Sequence, residues 1–181
     1  MKSQKIVRGI PVNTTEKILS DLCDIAFLKL WSFPNPYKEL GKELCDVLVV
    51  FDNNIIIFSV KNIKYNESKG IAGWQRWKRK AIDESIVQIN GAEKWIKKYP
   101  NQIYLNKNCN TIIPINSSKK LKIFRIVVAH GISDVIARIS GNTSGSLGIK
   151  YSDDNDFENI PYFVKLPKSP IYHILDSSSL E

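Results

Sequence analysis

The chain has 181 residues, 43% hydrophobic and 10% aromatic, and its 26 lysines and arginines against 18 acids give a net charge of +8. That length suits one domain with one core, and that composition excludes disordered, collagen-like and fibrous classes. No signal-peptide-like segment opens the sequence and no window approaches the roughly 20 apolar residues that span a bilayer, so a cytoplasmic location without a membrane partner is expected.

Residues 14 to 31 read as the first helix, with Ile18, Leu19, Leu22, Ile25, Ala26 and Leu30 recurring at helical spacing. Asn13 suits its N-cap, with Glu16 three residues on as the partner of a capping box. The prolines of SFPNPYKELGK then force a loop or a short extended segment.

Two β-branched runs, DVLVVF and IIIFSV, joined through Asp52, Asn53 and Asn54, predict an antiparallel hairpin. Both runs are apolar on both faces, which places them centrally in a sheet covered on each side. A loop with Gly70 and Gly73 leads to a long helix from about Trp74 to Tyr99, stopped by Pro100. Its apolar stripe holds Trp74, Trp77, Ala81, Ile89, Ala92, Ile96 and Tyr99, interrupted by Ser85 and Gln88. Arg76, Arg79, Lys80, Lys94, Lys97 and Lys98 lie opposite.

A further buried strand is expected over residues 122 to 133, then Gly/Ser-rich and acidic connectors, then a short hairpin within PYFVKLPKSPIYHIL. A single domain over residues 1–181 is expected; the abrupt ending DSSSLE reads either as a break that makes the chain the N-terminal part of a longer protein or, at Leu180-Glu181, as a cloning scar. Three cysteines, Cys23, Cys45 and Cys109, lack the pairing of a zinc ribbon or a disulfide framework and read as small buried thiols. His130 and His173 have no ligand-spaced partner, and Gly141, Gly145 and Gly148 lack the lysine of a phosphate loop, so all five read as structural.

Alternation along the strands decides which polar residues meet. With Asn53-Asn54 as the loop, Asp46 stands opposite Lys61; with Asp52-Asn53 it stands opposite Ser59. Either register puts Asp46, Ser59 and Lys61 on one face. The plain structural reading is a cross-strand ion pair between Asp46 and Lys61. Basic residues crowd the segment that follows: between residues 61 and 98 ten bases face four acids, a distribution suited to a polyanion.

The order helix, acid at a strand, turn, strand ending in x-x-Lys, helix, strand resembles the PD-(D/E)xK nuclease superfamily, with ELCD and FSVK in the motif positions. The run FLKLWSFPNPY, then GKELCDVLVVFDNNIIIFSVK, then the Trp-rich helix, is similar to an uncharacterised bacterial nuclease-like group within it. The resemblance spans roughly residues 13 to 133 and implies an α/β, restriction-endonuclease-like αβββαβ core, a central mixed sheet flanked by helices. It implies a metal-dependent nuclease acting on phosphodiester bonds, DNA above all, in defence against foreign DNA. The alternative is a catalytically silent module of the same fold that binds nucleic acid or a protein partner; a homodimer is compatible with both.

The resemblance assigns Asp46 as principal ligand of Mg²⁺ or Mn²⁺ and Lys61 as the residue that positions the attacking water. Cys45 stands where the pattern has proline, and Ser59 where it has a second acid. A hydroxyl is a much poorer ligand for a hard cation than a carboxylate, so another acid must replace it. Glu16 is the preferred replacement, ahead of Glu84; Glu43, three residues from Asp46, would point to the opposite face of a regular strand. Ser59 and Gln88 would hydrogen-bond within the site, and Lys64, Lys69, Arg76 and Lys78 would contact phosphates. Trp74 and Trp77 read as core rather than as base-stacking residues.

Overall fold

The computed structural model describes residues 9–141, 145–152 and 160–179. The elements in chain order are helix α1 (Thr14–Ala26), short strands β1 (Ser32–Pro34), β2 (Tyr37–Glu39) and β3 (Lys42–Glu43), and the hairpin β4 (Val47–Phe51) and β5 (Asn54–Asn62). Helices α2 (Gly70–Lys78) and α3 (Glu84–Lys98) follow, then β6 (Lys122–His130), α4 (Ser133–Ser140), β7 (Gly148–Tyr151), β8 (Phe163–Leu166) and β9 (His173–Asp176). The protein is α/β, with a mixed five-stranded sheet in the order β1-β4-β5-β6-β9 and helices flanking it. Among the described residues no helix is long and apolar enough to cross a membrane.

The chain gathers into two compact units, Met1–Ser59 with Gln88–Phe124, and Val60–Val87 with Arg125–Glu181. The first is built on the β4–β5 hairpin, whose Val47, Leu48, Ile55 and Ile57 are wholly enclosed together with Ile89, Ile96, Ile103 and Ile113. Each such side chain taken from water contributes about 1.5–3 kcal/mol, so this apolar hairpin anchors the unit. The second encloses Trp74, Trp77, Ala81, Ile82, Val127, Val128, Ala129 and Ile132. Trp74 and Trp77 stack at 5.7 Å between centroids, as core residues.

The hairpin register selects between the two expected turns. Phe51 pairs with Asn54 and Val47 with Phe58, so Asp52-Asn53 form the loop and Asp46 falls across from Ser59. Asp52 takes a left-handed backbone (φ 52°), which an Asp tolerates at a turn. Neighbouring chain holds this tip: Asn116 Nδ2 and Lys119 Nζ donate to the Asp52 carboxylate at 2.9 and 2.7 Å. Asn53 Nδ2 donates to the Lys120 carbonyl at 2.9 Å and Asn53 O accepts from Lys122 N at 2.8 Å.

Several expectations are corrected. Helix α1 ends at Ala26, because the chain turns into a left-handed conformation at Leu28 (φ 63°). Its buried face is Leu19, Ser20 and Cys23, while Ile18, Leu22, Ile25 and Leu30 are exposed. The long helix starts at Gly70 and contains a π-helical turn over Arg79–Asp83. Strand β6 ends at His130 and is enclosed only toward its C-terminal half. Residues expected as connectors form part of α4 and β7, and the expected final hairpin is absent: β8 pairs with β7 and β9 with β6, both in parallel. Most of the acidic connector, residues 153–159, lies outside the described residues.

Candidate functional site

Asp46 immediately precedes β4 and is only 7% exposed, and Ser59 on β5 is fully enclosed. Gln88, on α3, bridges them. Ser59 Oγ donates to Gln88 Oε1 at 2.8 Å, and Gln88 Nε2 donates to Asp46 Oδ1 at 3.0 Å. An ionised carboxylate can only accept, so Asp46 dictates which end of the carboxamide faces it and the serine must donate to the other. The Asp46 backbone is fixed as well: its N–H donates to Phe58 O at 3.3 Å and its carbonyl accepts from Asn35 N at 2.8 Å. The polar residue that interrupts the helix stripe therefore meets the two polar residues at the far end of the hairpin.

Acidic charge surrounds this point. The Glu43 carboxyl is held above its ordinary range by burial, then by the charges of Glu16 and Asp46, with a hydrogen bond to Tyr37 acting the other way. The Tyr37 hydroxyl is raised in turn by burial and by Glu43. Cys45 is pushed well above a normal thiol by burial, then by Asp46 and Glu43, and stays protonated. Burial, with a smaller effect from Asp24, pushes Cys23 up to about 12. All three cysteines are free; Cys23 and Cys45 are buried as expected, whereas Cys109 is only partly so, and neither buried thiol is a nucleophile at neutral pH.

Glu16 forms the expected N-cap contact with Asn13, but its carboxylate reaches the Val12 N–H and the Asn13 side chain in place of the Asn13 backbone N–H of a capping box. Its N–H donates to Asn13 Oδ1 at 3.0 Å, while Oε1 accepts from Asn13 Nδ2 at 2.6 Å and Oε2 from Val12 N at 2.8 Å. Among the described residues no three His, Cys, Asp or Glu side chains form a group that could hold a metal ion. Mg²⁺, however, usually keeps several waters and is held by one or two carboxylates. Asp46 and Glu43 are near enough to influence one another electrostatically, as are Glu43 and Glu16.

Lys61 lies two residues beyond Ser59 on β5, hence on the same side of that strand, and is half-buried. Among the described residues it has no ion-pair partner, so the cross-strand ion pair is not formed. In the second unit, Lys64, Lys69 and Arg76 line one cavity of about 590 Å³. Lys78 does not; it pairs with Asp83 at 3.1 Å. Lys80, within the π-helical turn, also stands in the cavity wall. Trp77 also lines it, but its ring N–H is committed to Ile63 O at 2.9 Å. His130 Nδ1 lies 2.9 Å from Ser177 Oγ, and burial lowers its pKa, in keeping with a structural role.

No family model, curated protein or solved structure matches this chain.

Proposed function

We propose that the protein is a metal-dependent nuclease that hydrolyses phosphodiester bonds, DNA above all, with Asp46 at its centre. The observation that carries this reading is the oriented, enclosed carboxylate of Asp46, fixed by Gln88 and Ser59. The order α1, β1, β4, β5, α2–α3, β6 supports the αβββαβ arrangement of restriction-endonuclease-like proteins.

Asp46 would hold Mg²⁺ or Mn²⁺, with Glu43 and Glu16 adding negative charge. The bound cation would polarise the scissile phosphate and acidify the attacking water. Gln88 keeps the Asp46 carboxylate in one orientation, and Ser59 keeps Gln88 in one orientation. By the nuclease resemblance, Lys61 would orient the water and offset charge developing on the phosphoryl oxygens. The new bond would join the water oxygen to phosphorus while the bond to one deoxyribose oxygen breaks, and the proton the water loses would reach that departing oxygen by way of solvent, leaving a phosphomonoester and a hydroxyl.

Plasmid nicking tests the reading. Wild type should cut with Mg²⁺ or Mn²⁺ and not with EDTA, and Asp46→Ala and Lys61→Ala should each cut slower by roughly 100-fold or more. Cutting absent with every metal, or unchanged in both variants, rejects it.

Two observations favour a second reading, a module that binds nucleic acid without cleaving it. Ser59 stands where the nuclease pattern has an acid, and both carboxylate oxygens of Glu16 serve the helix cap. DNA binding by wild type without cleavage under any metal would select this alternative.

A further inference from the structure

The cavity in the second unit brings Lys64, Lys69, Arg76 and Lys80 to one concave surface. Among the described residues none of the four has an ion-pair partner. Their immediate neighbours do: Lys78 pairs with Asp83 and Arg79 with Glu84. The one acid in the wall, Glu67, is engaged by Arg138. Like charges gathered on one concave surface repel one another. A bound anion relieves that repulsion.

Shape narrows the anion. A volume of about 590 Å³ falls within the range of small-ligand pockets and admits a nucleotide. A phosphodiester within a strand carries one negative charge on a chain that must both enter and leave. A terminal phosphate carries about −1.5 to −2 and enters a pocket end-on. Of the aromatic groups in the wall, Trp77 donates to Ile63 O, and the Tyr65 hydroxyl lies 3.4 Å from that of Tyr162. Asn62 and Asn66 also line the wall, but the charge that would select an anion comes from the four cations.

We infer that this cavity binds the phosphomonoester of a nucleotide, so that the protein holds nucleic acid by a phosphorylated end. The inference rests on the nucleic-acid part of the reading above and not on cleavage.

Fluorescence anisotropy in EDTA tests it, using one single-stranded oligonucleotide with a 5′-phosphate, a 3′-phosphate or neither, and AMP and inorganic phosphate as competitors. One phosphorylated form should bind roughly tenfold more tightly than the unphosphorylated strand, as one added charge-assisted contact implies. That preference should vanish in Lys64→Gln/Lys69→Gln and in Arg76→Gln, and survive in Lys97→Gln, a charge loss outside the cavity. Each lost contact should also flatten the plot of log affinity against log salt by about 0.7. Competition by AMP as strong as by the phosphorylated strand supports the cavity and assigns the phosphate to a free nucleotide. Equal binding of all three strands by wild type, or a preference untouched in both cavity variants, overturns it. With no metal in the assay, a protein that never cleaves can still pass, and one that cleaves can still fail.

Discussion

A carboxamide placed between a hydroxyl and a carboxylate has one orientation in which both contacts are favourable, and Gln88 adopts it. Gln88→Leu keeps most of the volume and removes both contacts, leaving the enclosed Ser59 hydroxyl without that acceptor. The loss should be about 1–3 kcal/mol, read as a lower urea midpoint at unchanged slope. A midpoint equal to wild type would show that the network does not hold the fold. Glu43 supplies a pH test. Its carboxyl titrates above the unfolded value, so the stability it contributes is present below the unfolded pKa and is lost as pH rises through the folded one. At neutral pH the ionised Glu43 thus weighs against folding. Glu43→Gln should therefore raise Tm at pH 7, with the gain shrinking as pH falls through the raised folded pKa and gone below about 4, the ordinary glutamate range; no gain at pH 7 counts against the electrostatic account. Asp46, Ser59 and Gln88 were legible because strand alternation and a broken apolar stripe are local signals. Glu43 was not: alternation was counted back from Asp46, but residues 44–46 lie between β3 and β4, outside regular strand, and the count does not carry across them.

Helix α2 meets the loop before it backbone to backbone. A Cβ at Gly73 would lie 2.3 Å from the carbonyl oxygen of Asn66, a backbone atom that cannot swing away. Gly73→Ala should therefore cost about 1–3 kcal/mol despite its better helix propensity, measured by urea or thermal unfolding. A stabilised variant would mean that the close approach is not kept in solution. The glycine was visible in the sequence, but read as a loop residue, because such proximity depends on packing across seven positions. Other elements were hidden for similar reasons. A left-handed leucine, which ends α1, has no signature where glycine is the usual stop, and α4 has eight residues with Ile132 at its N-cap. The π-helical turn adds a residue to a helical turn and redirects what lies within it, which a uniform 100° count misses.

The sheet was the most legible feature of the whole molecule, since runs apolar on both faces have few places to go but its middle. The division into two compact units was not, because each is assembled from stretches far apart in sequence. Parallel pairing of the late strands was equally hidden: a hairpin and two parallel pairs use the same alternating segments, and long-range partners decide between them. The cation excess over residues 61 to 98 pointed to a polyanion, but its concentration in one cavity required the fold.

The tip at Asp52-Asn53 is clamped from the side by residues 116 to 122. Because strands deal their side chains alternately to either face, one amino acid inserted or deleted there would rotate everything downstream by half a turn and leave Gln88 confronting the wrong neighbour. Loop length at a solvent-facing bend is thus a heritable specification of chemistry some six positions away, and homologues with a longer or shorter bend would need to have rebuilt their acid from elsewhere.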